Sequence, residues 1–120
     1  MTFEVEYTDE FGDWWEHELD EAVQDEVLAV VGLLEIEGPH LGFPYSSGIR
    51  TSKFSHMREL RIQYKGEPYR IFYAFNPLRH AILLFGGNKG GNDRYYDRYV
   101  PMADALYEEH LAELEKEGTL

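Results

Sequence analysis

Ten Lys and Arg side chains between residues 50 and 98 hold the most distinctive chemistry of this 120-residue chain. Arg61 and Arg70 flank the turn-forming run Lys65-Gly66-Glu67-Pro68. Each alternates with apolar neighbours, Leu60 and Ile62 around the first and Tyr69 and Ile71 around the second. On adjacent antiparallel strands both would project from the face opposite the core, and cross-strand neighbours on one face can share a ligand. Lys89 lies in the run Gly86-Gly87-Asn88-Lys89-Gly90-Gly91, where little side-chain bulk would hold a ligand's backbone away. The run Arg94-Tyr95-Tyr96-Asp97-Arg98-Tyr99 follows. Fixed guanidinium and ammonium donors suit the dianionic, phosphorane-like transition state formed when a ribose 2′-hydroxyl attacks the adjacent phosphorus. Tyr or Lys could assist proton transfer, and tyrosines could stack bases. The competing reading is that Arg61 and Arg70 pair with acidic helices while the tyrosines fill a core.

Other chemistries are poorly served. The glycine-rich run has neither the GxxxxGK[ST] nor the GxGxxG spacing of a nucleotide loop. His17, His40, His56, His80 and His110 show no HExxH spacing, so neither a metal nor another cofactor is expected. Without cysteine there is no disulfide, thiolate zinc site or thiol nucleophile. Ser46, Ser47, Ser52 and Ser55 sit outside any nucleophile-elbow pattern. The N-terminus has no basic, apolar leader, and the apolar run Ala81 to Phe85 is far short of a membrane span. A soluble, cytoplasmic protein without membrane contact is the expectation.

The net charge of −12 argues against a nucleic-acid partner, but its distribution does not. Residues 1–49 hold 13 acids and no Lys or Arg, residues 50–98 ten basic and four acidic residues, and residues 99–120 six acids and Lys116. The three segments stand at −13, +6 and −5. One basic segment between two acidic ones suggests a localised anion-binding surface.

The elements that must position these residues read as a single α+β domain over residues 1–120. Thr2 to Tyr7 alternates as a half-buried strand. Thr8 or Asp9 can cap a short helix carrying Phe11, Trp14 and Trp15 on one side. A longer helix over about Asp20 to Glu37 ends at Gly38-Pro39, and His40 to Gly48 reads as irregular loop. Strands follow around Leu60 to Tyr64, Tyr69 to Phe75 and Ala81 to Phe85, with connections too short for anything but antiparallel neighbours. A short helix is expected over Asp93 to Tyr99, and Pro101 suits the first position of a separate final helix ending at Gly118.

The run MRELRIQYKGEPYRIFYAFNPLRHAILLFGGNKGG, followed by DRYYDRYVPMADALYEEHL, resembles the phage-derived HigB-like branch of the RelE/ParE toxin superfamily. The resemblance spans roughly residues 3–115 and is densest over 58–111. It implies a RelE-like fold of the microbial-RNase type, with an N-terminal strand and two helices packed on a small antiparallel sheet and a C-terminal helix. It implies a toxin that cleaves mRNA on the ribosome without a metal, paired with an antitoxin of helix-turn-helix type encoded nearby. By position, Arg70 matches the strand arginine that contacts the scissile phosphate, and Arg61 a neighbouring basic position. Lys89 matches the basic residue of the last loop, and Tyr96 or Tyr95 the aromatic that aids in-line attack. Lys53, His56, Arg58, Arg94 and Arg98 join Tyr95 as expected RNA contacts. RelE proper carries lysines where this chain has Met57 and Glu59, and an arginine where it has Gly90. Related HigB-like toxins use mixtures of His, Asp and Tyr, which keeps His56, Asp93 and Asp97 as secondary candidates. Two alternatives stand beside the nuclease: a ParE-like toxin that binds DNA gyrase without catalysis, and a degenerate member that keeps only its antitoxin-binding surface.

Overall fold

In the computed structural model, which describes residues 2–119, five strands form one sheet in the order β1-β5-β4-β3-β2. The strands are β1 Val5–Tyr7, β2 Ser46–Gly48, β3 Arg58–Tyr64, β4 Glu67–Phe75 and β5 Ala81–Asn88. The helices are α1 Asp9–Glu18, α2 Glu21–Glu37 and α3 Tyr95–Lys116. β2, β3, β4 and β5 pair antiparallel in sequence order, while β1 lies parallel to β5. The fold is α+β, with one parallel pair at its edge that the sequence reading did not foresee.

Capping explains where the first two helices begin. The Thr8 hydroxyl oxygen accepts from the Phe11 amide at 3.1 Å, and the Asp20 carboxylate accepts from the Val23 amide at 3.0 Å. Each bond satisfies an amide that the helix itself cannot. Gly38 ends α2 at φ 57°, a conformation that disfavours side chains with a Cβ.

The sheet is covered on both faces. α1 and α2 bury Phe11, Trp14, Val27 and Leu34 against Leu60, Ile62, Ile71 and Tyr73. α3 buries Tyr95, Val100, Ala103 and Tyr107 against Met57, Phe72, Ala74 and Leu84. Each fully buried large apolar side chain contributes about 1.5–3 kcal/mol, so both layers hold the sheet.

Three expectations need correction. β4 was read as a strand with one open face, but Phe72 and Ala74 lie under α3 as deeply as Ile71 and Tyr73 lie under α2. Arg70 therefore does not project into solvent. The loop His40 to Gly48 ends in β2, whose Ser46-Ser47-Gly48 carries no apolar alternation to mark it. Asp93 to Tyr99 and the final segment are not separate helices: α3 runs through Pro101. Proline costs that helix the amide that would bond the Asp97 carbonyl, while buried Tyr95 and Val100 anchor the turn before it.

At Gly86 in β5, a Cβ would collide with the ring of Trp14 on α1. Gly86→Ala should lower stability by about 1–3 kcal/mol through overpacking, read as a shifted urea midpoint. An unchanged midpoint would show that α1 does not press on the sheet there.

Candidate functional site

The turn between β3 and β4 sets the site's register. Lys65 and Gly66 both take positive φ, 49° and 81°, as a two-residue hairpin turn of the primed kind requires. Tyr64 then faces Glu67, and counting back along both strands places Arg61 directly opposite Arg70. Glu59 lies two residues from Arg61 on the same face, since strand side chains alternate.

A buried carboxylate stands at the centre. Glu59 is 4% exposed. Its Oε1 accepts from the Tyr96 hydroxyl at 2.7 Å, and its Oε2 accepts from the Ser47 hydroxyl at 2.8 Å. Arg61 Nη1 approaches Oε2 at 3.4 Å, and Arg70 Nε lies 3.7 Å from Oε1. That last separation is too long for a hydrogen bond. Arg70 Nε is buried without a hydrogen-bond partner, although Nη1 donates to the Tyr69 carbonyl at 2.9 Å.

Lys89 completes the cluster from the loop after β5. Its amide donates to the Pro68 carbonyl at 2.9 Å, and its ammonium stands over the Tyr96 ring, 5.8 Å from the centroid. The Arg61 guanidinium stacks over Phe43 at 5.0 Å. Three cations thus gather around one carboxylate and one phenol.

Two adjacent tyrosines at the start of α3 differ in role. Tyr95 is 1% exposed and donates to the Arg70 carbonyl at 3.0 Å, opposite Gly87. Burial pushes its phenol well above the ordinary range. Tyr95 therefore braces β4 and cannot stack on a nucleic acid, contrary to its expected role. Tyr96 is half-buried. Burial, then the hydrogen bond to Glu59 and its charge, pushes the Tyr96 phenol up to about 12, against an opposing effect of Arg70. It stays protonated at neutral pH, a donor and not a base.

The family model described as phage-derived protein Gp49-like matches residues 14–108, a span that contains every member of the cluster. The chain belongs to the Gp49-like family. Two Mycobacterium tuberculosis relatives are named as candidate toxins. One, HigB3, is 43% identical over 99 residues, covering 82% of this chain and 85% of its own length. The other, HigB2, is 41% identical over 103 residues, covering 84% of this chain. The chain spans about half of HigB2, 51% of its length. A solution structure of the conserved hypothetical protein HP0894 from Helicobacter pylori aligns with a TM-score of 0.45 and 18% identity, over 72% of this chain and 93% of that one.

In this Gp49-like protein, the remaining expected contacts do not join the cluster. Arg58 lies on the other face of the sheet, donating to Ser46 Oγ at 2.9 Å. Lys53 pairs with Glu108 on α3 at 2.5 Å. His56 meets the Tyr107 hydroxyl at 3.0 Å and packs edge-on against Phe54. Tyr107 donates to the Phe75 carbonyl at the opposite end of β4 from Arg70, so Lys53 and His56 lie far along the sheet. Arg94 and Arg98 are exposed one helical turn apart at the start of α3, without an ion pair among the described residues. Asp93 and Asp97 are exposed beside them. Among the described residues, no group of three or more His, Cys, Asp or Glu could hold a metal, and no helix is long and apolar enough to cross a membrane.

Glu59 and Ser47 were not among the expected site residues. The signal for Glu59 was present: the Glu-Leu-Arg alternation puts it beside Arg61, and the turn puts both beside Arg70. Ser47 had no such signal, because β2 itself was not legible.

The Tyr96 phenol gives a pH test. A folded-state value raised from 10.0 to about 12 contributes stability that is fully present below pH 10 and lost as pH rises through 12. Spectrophotometric titration should show a late phenol that disappears in Tyr96→Phe and ionises earlier in Glu59→Gln. A Tyr96 titration indifferent to Glu59 would separate the two residues.

Proposed function

We propose that this chain acts in the cytoplasm as one RelE-like domain, the toxin of a type II toxin–antitoxin system, and cleaves ribosome-bound mRNA without a metal. Its partner is an antitoxin, of helix-turn-helix type, encoded nearby. The grouping of Arg61 and Arg70 at Glu59 with Lys89 at Tyr96, which donates to Glu59, carries this reading. Membership in the Gp49-like family and relatives named as toxins support the toxin part.

Chemically, the 2′-hydroxyl attacks the adjacent phosphorus and loses its proton to Glu59. The P–O5′ bond breaks, and the 5′ oxygen takes a proton from the Lys89 ammonium. The products are a 2′,3′-cyclic phosphate and a 5′-hydroxyl. Arg61 and Arg70 neutralise the charge that develops on the non-bridging oxygens. Tyr96, a fixed donor, orients Glu59.

One observation favours a second reading, a protein-binding toxin of the ParE kind or a member that retains only antitoxin binding. Arg70 is 5% exposed, with Glu59 already beside it. A guanidinium so covered serves the sheet unless RNA displaces part of the cover.

Induced expression without the neighbouring gene product decides between them. Growth arrest with discrete new mRNA 5′ ends is expected, with cleavage reduced about 100-fold or more in Lys89→Ala and in Arg70→Ala. Lys89 is only partly buried, so its variant keeps the test valid if Arg70→Ala unfolds. Arrest with double-strand DNA breaks and no new mRNA ends would overturn the nuclease reading in favour of gyrase.

A further inference from the structure

The sheet face opposite the cation cluster has a different character. α1 packs over β5 and α2 over β3, and an open groove of about 1030 Å³ lies between the two helices and β1. Val27, Val31 and Leu83 line its depth. Tyr7 and Leu28, 67% and 55% exposed, stand on its walls. Large apolar side chains left in water beside an apolar floor mark a surface that another molecule covers.

The groove's charge selects the molecule. Asp9, Asp13, Glu16 and Glu35 are the charged residues that line it, and all are acidic. No Lys or Arg occurs in the first 49 residues to compensate them. His17 approaches Glu16 only at 3.9 Å, and both side chains are largely exposed. Nucleic acid and anionic lipid are repelled by such a rim. The β1 edge is three residues long, and just before it the Phe3 amide is already bonded to the Glu35 carbonyl, which leaves little to pair an added strand. Helical walls accept the ridges of another helix.

We propose that this groove seats a basic amphipathic helix of a partner protein. The apolar stripe of that helix covers Tyr7 and Leu28, and its Lys and Arg side chains meet Asp9, Asp13, Glu16 and Glu35. The inference stands without the nuclease reading, because it uses neither Arg61, Arg70 nor Lys89.

The test uses three labelled peptides of roughly 18 residues, five helical turns. One places Leu and Lys at helical spacing, one scrambles the same composition, and one has Glu for Lys. The first should bind one to one and weaken as salt rises, and the other two should not bind measurably. Leu28→Lys, and separately Asp13→Lys with Glu16→Lys, should weaken binding about tenfold or more. Glu108→Lys with Glu115→Lys, an equal charge change on exposed positions of α3 outside the groove's lining, should alter it less than about twofold. Equal binding of the scrambled peptide, equal loss in the α3 variant, or no binding of the first peptide would each overturn the proposal.

Discussion

A carboxylate with 4% exposure needs partners, because stripping water from an unpaired charge costs several kcal/mol. Glu59 meets that demand with hydrogen-bond donors from three elements and the unbonded charge of a guanidinium from a fourth. Ser47 comes from β2, Arg61 from its own strand β3, Arg70 from β4 and Tyr96 from the first turn of α3. The hairpin register, the start of α3 and the short edge strand β2 therefore converge on one group. Losing Glu59 would leave Arg70 as a buried charge without its counter-ion, whereas losing Arg70 would leave Glu59 with Arg61, Ser47 and Tyr96. The attraction also keeps three cations close together that would otherwise repel one another.

The charge partition along the chain becomes a partition in space. α1 and α2, on one face, come from the segment at −13, while the cation cluster lies on the other face with strands and loop from the segment at +6, beside α3, most of which belongs to the segment at −5. On the proposed function, a polyanion's approach would be confined to the side where Arg61 and Lys89 lie. A net charge of −12 is thus compatible with a phosphate-binding surface of limited extent. The same partition leaves an acidic apolar groove on the helical side for a partner of opposite sign.

Much of this was legible in the residues. Thr8 and Asp20 announce their helices because their side chains bond helix amides, and Gly38 ends α2 because it takes positive φ. The Lys65-Gly66 turn pairs Arg61 with Arg70 by simple counting. Two layers of burial were harder to see. Alternation in β4 suggested one open face, whereas Phe72 was the sign of a second core, under α3, which follows α1 and α2 only after the whole run of strands β2 to β5. That cover changes Arg70 from an open ligand into a braced one. Ser47 and the continuity of α3 through Pro101 depend on tertiary packing that no local pattern encodes. Glu59 was noticed as a departure from a related pattern, and its position turns that departure into the site's organising charge.

The central claim is that the Glu59-centred cations can receive a phosphodiester. The most direct measurement is the arginine Nε–H signals of the folded protein titrated with an RNA oligonucleotide made uncleavable by 2′-deoxy substitution. Saturable shifts of Arg61 and Arg70, with the Arg70 signal moving as its unpartnered Nε gains a hydrogen bond, are the expected result. Shifts confined to Arg94 and Arg98, with Arg61 and Arg70 unmoved at saturation, would show that the cluster only holds the fold together.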